Sequence, residues 1–281
     1  MSYFDRIRAC NDCRIDDLLP FHIAGERYGF LTGEFAEKLK AWPALFEFTP
    51  AGVQLSDRLE TPDQRTRALA EVTRRLAAQG VIKSWNNELF DIKNDFSAEP
   101  VMRLERAAVI HFGMRAYGVH VNGLVETDAG WQLWVATRAR DKPTFPGMLD
   151  HIVAGGQPAG LGLLENVIKE ADEEASIPAE LASRAEQVGR ITYCSRTERG
   201  LKPDTLFCFD LRLPVDFTPR SNDGEVESFE LMPLETVAGI VRDTTRFKPN
   251  CNLVIIDLLI RLGLIRDDHE ALQRALHPVL P

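Results

Sequence analysis

Residues 155–177 read GGQPAGLGLLENVIKEADEEASI, a glycine-rich segment followed by an amphipathic one. An α-helix turns by about 100° per residue, so the faces of a helix over Gly162–Ala175 can be assigned by counting. The count places Glu165 and Asp172 on one flank and predicts a buried stripe beside a cluster of carboxylates on the other. The stripe comprises Leu164, Val167, Ile168, Ala171 and Ala175, and the cluster comprises Glu170, Glu173 and Glu174.

The three clustered carboxylates indicate a cation site. Like charges three and four residues apart on a helix repel each other. A divalent cation removes this repulsion, and Mg²⁺ or Mn²⁺ accepts carboxylate and phosphate oxygens as ligands. A solvated acidic helix face is the alternative, and the helix alone does not decide between them. We predict Glu170, Glu173 and Glu174 as metal ligands and as catalytic residues, with Mg²⁺ or Mn²⁺ as the cofactor.

The surroundings of this helix favour a phosphate ligand. Glycines let the backbone approach a ligand closely, and a helix N-terminus favours anions. One group of basic residues follows a predicted strand and comprises Arg138, Arg140 and Lys142. A second group lies in a predicted loop and comprises Arg196, Arg199 and Lys202. Each group alone would be ordinary surface charge, but together they bracket the glycines and the glutamates. The predicted substrate-binding residues are Arg138, Arg140, Lys142, Gly155, Gly156, Arg196 and Lys202.

The same segment resembles the Nudix box, whose second half reads Arg-Glu-apolar-any-Glu-Glu-any-Gly-apolar. Residues 169–177 here read KEADEEASI, so the three glutamates match the positions that bind metal ions in that family. Lys169 replaces the arginine, Ser176 replaces the glycine, and Leu161 stands where a loop glutamate is expected. The resemblance implies an α/β fold, a Nudix-type α/β/α sandwich with a mixed sheet. The departure at Leu161 leaves the number of metal ions open.

Other segments resemble one Nudix branch with an extra N-terminal domain, related to Nudix modules associated with thiamine pyrophosphokinase. They are FPGMLD at 145–150, GLKPDT at 200–205, NDGEVESF at 222–229 and FKPNCN at 247–252. This resemblance implies a small-molecule diphosphate as substrate, thiamine diphosphate or its oxidised derivatives, attacked by a metal-activated water. The general base is left open between Glu173, another box carboxylate, and the loop residues Glu225 and Glu227, of which we favour Glu225.

The pattern of predicted strands and helices differs between two regions of the chain. Residues 94–100 are polar and turn-prone, so we predict a boundary at about residue 100. Residues 1–100 are predicted to form a smaller N-terminal α+β domain, and residues 101–281 a Nudix hydrolase domain. In the first domain, Trp42, Trp85 and Phe90 are either core residues or the lining of a ring-stacking pocket.

The composition of the chain limits the binding partners and the cellular compartment that we expect. The chain has 33 basic and 42 acidic residues and a net charge of −9, so we expect no nucleic-acid partner. No apolar segment has the length of a signal peptide or a membrane span, so we expect a cytoplasmic chain without membrane contact; a homodimer stays open. Five irregularly spaced cysteines predict unpaired thiols. Cys10 and Cys13 form a lone C-x-x-C, and no Cys/His pair completes four zinc ligands.

Two other functions fit a diphosphate-binding fold. An enzyme similar to isopentenyl-diphosphate isomerase needs a thiol in its pocket, and Cys194 and Cys208 are the candidates near the site in sequence. A non-catalytic sensor would bind a diphosphate ligand without turning it over. Turnover with Mg²⁺ distinguishes hydrolysis from the sensor, and the position of the two thiols tests the isomerase.

Overall fold

The computed structural model describes residues 2–281. The helices within this range, in chain order, are α1 Tyr3–Cys10, α2 Gly33–Leu39, α3 Pro62–Ala78, α4 Arg106–Val109, α5 Leu163–Ala175, α6 Ala179–Ala182, α7 Leu234–Asp243, α8 Pro249–Arg261 and α9 His269–Ala275. The strands are β1 Leu19–Ile23, β2 Glu26–Leu31, β3 Phe46–Thr49, β4 Gly52–Leu55, β5 Leu89–Ile92, β6 Met102–Glu105, β7 Ala116–Thr127, β8 Gly130–Arg138, β9 Leu149–His151, β10 Val153–Gly156, β11 Glu186–Thr197, β12 Gly200–Arg212 and β13 Val226–Pro233.

A mixed sheet of seven strands organises the C-terminal region. Its main path runs β11-β12-β7-β8-β13, with β10 paired to β7 and β9 paired to β8. The β12–β7 pair is parallel, whereas β11–β12, β7–β8 and β8–β13 are antiparallel. Because alternate residues of a strand point to opposite faces, Leu206 and Cys208 of β12 face one core cluster, while Phe207 and Phe209 face another.

Helices cover both faces of this sheet. Helix α5 packs on one face, against strands β7 and β10, and its Val167 and Ala171 are fully buried there. Helices α1, α7, α8 and α9 lie on the other face, in the cluster that contains Leu133 and Leu206. This is the α/β/α sandwich with a mixed sheet that the sequence predicts.

A second hydrophobic cluster forms within the N-terminal region. It lies around the sheet β2-β1-β4-β3 and helix α3, whose Leu69, Val72 and Leu76 are fully buried. The cluster extends along the chain from Phe21 to Met114, past residue 100, and α1 packs instead on the C-terminal sandwich. The boundary at residue 100 stays a prediction.

Two details differ from what the sequence predicts. The sequence also predicts a strand over Trp85–Ile92, but β5 begins only at Leu89, because Ser84 and Asn87 have φ of 59° and 58°, in the left-handed region. Leu164, predicted in the buried stripe, is 39% exposed. Asn166 is buried in its place, since its side chain donates to the Gly156 carbonyl at 2.8 Å.

The prediction of unpaired thiols is wrong for two of the five cysteines. Cys13 and Cys194 form a disulfide that links residues 181 positions apart. Cys10, Cys208 and Cys251 are free and buried. Spacing could not show the bridge, because the partner of Cys13 lies on β11, far along the chain. Within residues 2–281, every helix is too short or too polar to cross a membrane.

Removal of Arg261 is expected to lower the free energy of unfolding. Its guanidinium contacts Asp210 at 2.7 and 3.0 Å and Asp257 at 2.8 Å, and all three side chains are largely buried. Arg261→Leu leaves two carboxylates without this cation, which we expect to cost about 3 kcal/mol in urea denaturation.

The matched control is Arg274→Leu, also near the end of a helix. Its ion pair with Glu270 spans 3.7 Å and is about three-quarters exposed, so we expect a change below about 0.5 kcal/mol. Equal effects of the two substitutions would contradict a stabilising role for the Arg261 network.

Candidate functional site

A cavity of about 730 Å³ lies where the N-terminal region meets the sandwich. Helix α5, strand β10 and the loop before β13 contribute to its wall, and so do residues of the N-terminal region, including Phe90 and Arg106. We call this space the central cavity. The three predicted metal ligands, Glu170, Glu173 and Glu174, all line it.

Local interactions at its two ends fix helix α5. At the N-terminus, the Glu165 carboxylate accepts a hydrogen bond from the Gly162 N–H at 2.8 Å. This hydrogen bond holds the Glu165 carboxylate outside the carboxylate cluster, as its position on the other flank of the helix predicts. At the C-terminus, Ser176 has φ of 50° and adopts the left-handed conformation that favours glycine, which the Nudix box has at this position. The Ser176 hydroxyl donates to the Arg220 carbonyl at 2.8 Å.

Strand β10 holds two of the glutamates. The Ala154 N–H donates to the Glu174 carboxylate at 2.7 Å. A Cβ added at Gly155 would lie only 2.3 Å from the carboxyl carbon of Glu170, so that carboxylate lies directly against the glycine backbone. Gly155 therefore provides the space that Glu170 occupies, a role that a residue with a side chain could not fill without displacing the carboxylate.

The three carboxylates differ in environment. Burial raises the pKa of Glu174 well above its usual value, although the Ala154 N–H opposes this shift. Burial also raises the pKa of Glu170, against the charge of Lys169. Glu173 is 46% exposed, and the Lys169 ammonium lies 2.6 Å from its carboxylate and 3.2 Å from that of Glu170. A cation thus already lies between two of the predicted metal ligands.

Most of the predicted substrate-binding residues line the central cavity, and Arg140 does not. Arg140 is 84% exposed and pairs with Glu227 at 3.3 Å, because the chain turns away after β8 ends at Arg138. Glu225 lines the cavity and forms an ion pair with Lys142. The predicted residues in the wall are Arg138, Lys142, Gly155, Gly156, Arg196 and Lys202.

Several of these cations have partners within the protein. Arg138 and Lys248 contact the same oxygen of Asp150, at 2.8 and 3.1 Å. Arg196 forms a bidentate ion pair with Asp17, and Lys202 lies 2.9 Å from Asp204. Arg196 and Lys202 belong to the paired strands β11 and β12, where the sequence predicted a loop.

Sequence reasoning assigned no role to Lys248, Arg106 or His120, which also line the cavity. Lys248 had a readable signal, since Pro249 at the first turn of α8 places Lys248 at the helix N-cap. Arg106 and His120 had none, because only the tertiary fold brings them to the cavity. Of the three aromatic residues considered for a ring-stacking pocket, Phe90 lies in the cavity wall, whereas Trp42 and Trp85 pack on the N-terminal core cluster.

The two thiols considered for an isomerase are not available in the cavity. Cys194 is in the disulfide with Cys13, and Cys208 is fully buried outside the cavity wall. Cys10 does line the cavity, but it is 3% exposed and burial raises the pKa of its thiol to about 12. The arrangement therefore gives no support to thiol chemistry, and it assembles carboxylates and cations instead.

Comparison with known proteins places the chain in a family. A family model described as a domain of unknown function, DUF4743, matches residues 2–116. The chain is 42% identical over 278 residues to Nudix hydrolase 20, chloroplastic, of Arabidopsis thaliana, covering 95% of this chain and 74% of the relative. Nudix hydrolase 24, chloroplastic, of the same plant is also 42% identical, with the same coverage.

A weaker likeness links the chain to a solved structure. The MutT protein of Methanosarcina mazei aligns with 53% of this chain and 95% of its own, with 17% identity and a TM-score of 0.41. This structural similarity is low, whereas the two plant relatives match nearly the whole chain. The protein belongs to the Nudix hydrolase family.

Proposed function

We propose that the protein hydrolyses a diphosphate linkage in a small molecule, with a divalent cation held by Glu170, Glu173 and Glu174. The observation that carries the proposal is the convergence of these carboxylates and several cations on the central cavity. Carboxylates suit a metal ion, and the cations suit the phosphate oxygens that a bare acidic cavity would repel.

The residues present fit Mg²⁺ or Mn²⁺. All three donors are carboxylates, and hard divalent cations favour oxygen ligands. The Lys169 ammonium between Glu170 and Glu173 occupies a position of negative potential, which a metal ion would share or take over. Gly155 leaves room for the Glu170 carboxylate. When bound, such a cation lowers the pKa of a coordinated water and neutralises charge on the phosphates.

The protein's own side chains have two further tasks. Lys142, Lys202 and Lys248 line the cavity wall, and we expect them to bind phosphate oxygens and hold the diphosphate in position. Two carboxylates can accept the proton of the attacking water. They are Glu173, the most exposed of the three glutamates, and Glu225, in the loop whose Asn222 and Asp223 N–H groups donate to the Glu173 carbonyl.

Thiamine diphosphate and its oxidised derivatives are the substrates that we propose at the finer level. The proposal rests on the branch resemblance and on the size and lining of the cavity, which holds both cations and an aromatic ring. A substrate with a ring would place its diphosphate against helix α5 and its ring against Phe90.

The test is hydrolysis of thiamine diphosphate with Mg²⁺ or Mn²⁺, followed by ³¹P NMR. We expect thiamine monophosphate and inorganic phosphate as products, and no turnover when EDTA removes the metal. Binding without turnover, seen as a raised Tm, would favour a non-catalytic sensor for this ligand. Hydrolysis of other diphosphates but not of this one would contradict thiamine as the substrate and leave the reaction class intact.

Phe90→Leu is expected to raise the KM for a substrate with a ring. A Cβ at Gly156 would lie 2.5 Å from the end of the Phe90 ring, so this ring lies next to the glycine loop. Leucine keeps an apolar side chain but removes the stacking face, which is worth about 0.5–1.5 kcal/mol, or roughly 2- to 13-fold in KM. The measurement is steady-state kinetics with thiamine diphosphate.

Trp85→Leu is the matched control, because Trp85 belongs to the same core cluster and does not line the cavity. We expect its KM to stay near the wild-type value. An unchanged KM in Phe90→Leu would exclude ring contact at Phe90.

A further inference from the structure

A second group of potential metal ligands lies at the wall of the central cavity and consists of residues other than the three glutamates of helix α5. His120 of β7, Asp150 and His151 of β9, and Cys251 of α8 each offer one ligand atom, and these atoms lie within 4.8 Å of one another. None of the four residues is more than 4% exposed. We call them the His-Cys cluster.

Contacts inside the His-Cys cluster bring its ligand atoms together. The Nδ1 atoms of His120 and His151 lie 3.0 Å apart, and the two rings are nearly perpendicular, at 84°. The Cys251 Sγ lies 2.8 Å from Oδ1 of Asp150. The residues come from three elements, and the separations of 31 residues between the histidines and 101 between Asp150 and Cys251 show that the fold assembles them.

Asp150 has one oxygen directed toward the His-Cys cluster and one directed away. Its Oδ2 contacts Arg138 and Lys248, whose side chains line the central cavity. Its Oδ1 contacts the Cys251 sulfur and accepts from the His151 N–H at 2.9 Å. Oδ1 is therefore placed to serve as a metal ligand, while Oδ2 keeps its ion pairs with Arg138 and Lys248.

The donor set differs in kind from the glutamates. Two imidazole nitrogens, a thiolate and a carboxylate form a mixed set that suits Zn²⁺ and related transition metals, whereas Mg²⁺ and Mn²⁺ favour oxygen alone. The buried Nε2 of His151 has no hydrogen-bond partner among the described residues. Hydrogen bonding within the protein therefore does not account for every polar atom of the cluster.

We propose that the His-Cys cluster is a site for one transition-metal ion of the Zn²⁺ class, with four protein ligands and a structural role. On binding, the Cys251 sulfur loses its proton to solvent, and the thiolate and the Asp150 carboxylate balance the two charges of the metal. The metal ties β7, β9 and α8 together below Arg138 and Lys248. The ligands are different residues from the three glutamates, and the proposal does not depend on the proposed reaction.

The first test is the metal content of the full chain. We expect about one tightly held transition-metal ion per chain by mass spectrometry of the purified protein, or after reconstitution with Zn²⁺ and dialysis. Excess Mg²⁺ should not displace it, since Mg²⁺ does not favour sulfur or nitrogen ligands. Wild-type protein that retains no Zn²⁺ after reconstitution would overturn the proposal.

The second test assigns the ligands. Cys251→Ser should lower the Zn²⁺ content at least 10-fold, whereas Cys208→Ser, at another fully buried free cysteine, should keep it. Should Cys251→Ser fail to fold, reconstitution of the wild type with Co²⁺ decides, because thiolate ligation gives a charge-transfer band in the near ultraviolet. A Co²⁺ spectrum without that band, or equal Zn²⁺ content in the two folded variants, would show that Cys251 is not a ligand.

Discussion

Glu173→Gln is expected to lower kcat for diphosphate hydrolysis by about 10³-fold, because the amide neither binds a divalent cation well nor accepts a proton. Glu173 is half-exposed in the central cavity, so the substitution leaves the core intact. The measurement is initial-rate kinetics at saturating Mg²⁺, with Tm as a check on folding. Loss of the Lys169 ion pair is expected to change stability little, since both side chains are partly exposed, at 38% and 46%.

Two further variants help to interpret the result of Glu173→Gln. Asp172→Asn, on the opposite flank of the same helix and outside the cavity wall, should retain wild-type activity. Glu225→Gln separates metal binding from proton transfer. An unchanged Mg²⁺ requirement with a kcat reduced about 10²-fold or more would identify Glu225 as the base, whereas wild-type kcat would assign the proton to Glu173.

Gly155→Ala is expected to reduce hydrolysis by about 10²-fold while the fold is kept. The new Cβ would lie 2.3 Å from the Glu170 carboxyl carbon and 2.6 Å from one of its oxygens. The carboxylate is the far end of a flexible side chain, so we expect it to move aside and leave the position that we propose for it as a metal ligand. Kinetics and the concentration of Mg²⁺ at half-maximal activity would report this displacement.

Gly189→Ala is the control for Gly155→Ala. It also lies in the large sheet, and a Cβ there would meet nothing within 4 Å. We expect wild-type kinetics from it. Full activity of Gly155→Ala at a wild-type Mg²⁺ requirement would show that the contact between Gly155 and Glu170 does not matter for catalysis.

The helix that carries the glutamates was predictable because its signals are local. Helical periodicity, the glycines before it and the clustering of Glu170, Glu173 and Glu174 all lie within residues 155–177. The predicted helix began at Gly162, one residue before the observed start at Leu163. Leu164 was predicted to be buried, but it is exposed. Periodicity counts Asn166 as polar and therefore exposed, and it does not register the hydrogen bonds to Gly156 and Gln157 that bury this side chain.

The rest of the site depends on contacts between distant residues. Phe90 and Arg106 reach the central cavity from the N-terminal region, and Lys248 reaches it from the start of α8. The pairing of Cys13 with Cys194 has the same origin. The histidines show no ligand spacing in the sequence, yet the fold places His120 and His151 in contact with each other. A single sequence contains no signal for such pairs, because the residues around each partner form no pattern that points to the other partner.

We propose that the glutamates of helix α5 support hydrolysis of a diphosphate linkage. A screen of nucleoside, sugar, coenzyme and thiamine diphosphates with Mg²⁺ and Mn²⁺, run in parallel on the wild type and Glu173→Gln, tests this proposal. We predict that the wild type hydrolyses at least one of them, and that turnover requires the added cation and is lost in the variant. Hydrolysis by Glu173→Gln at the wild-type rate, or binding of diphosphates by the wild type without any turnover, would contradict the claim.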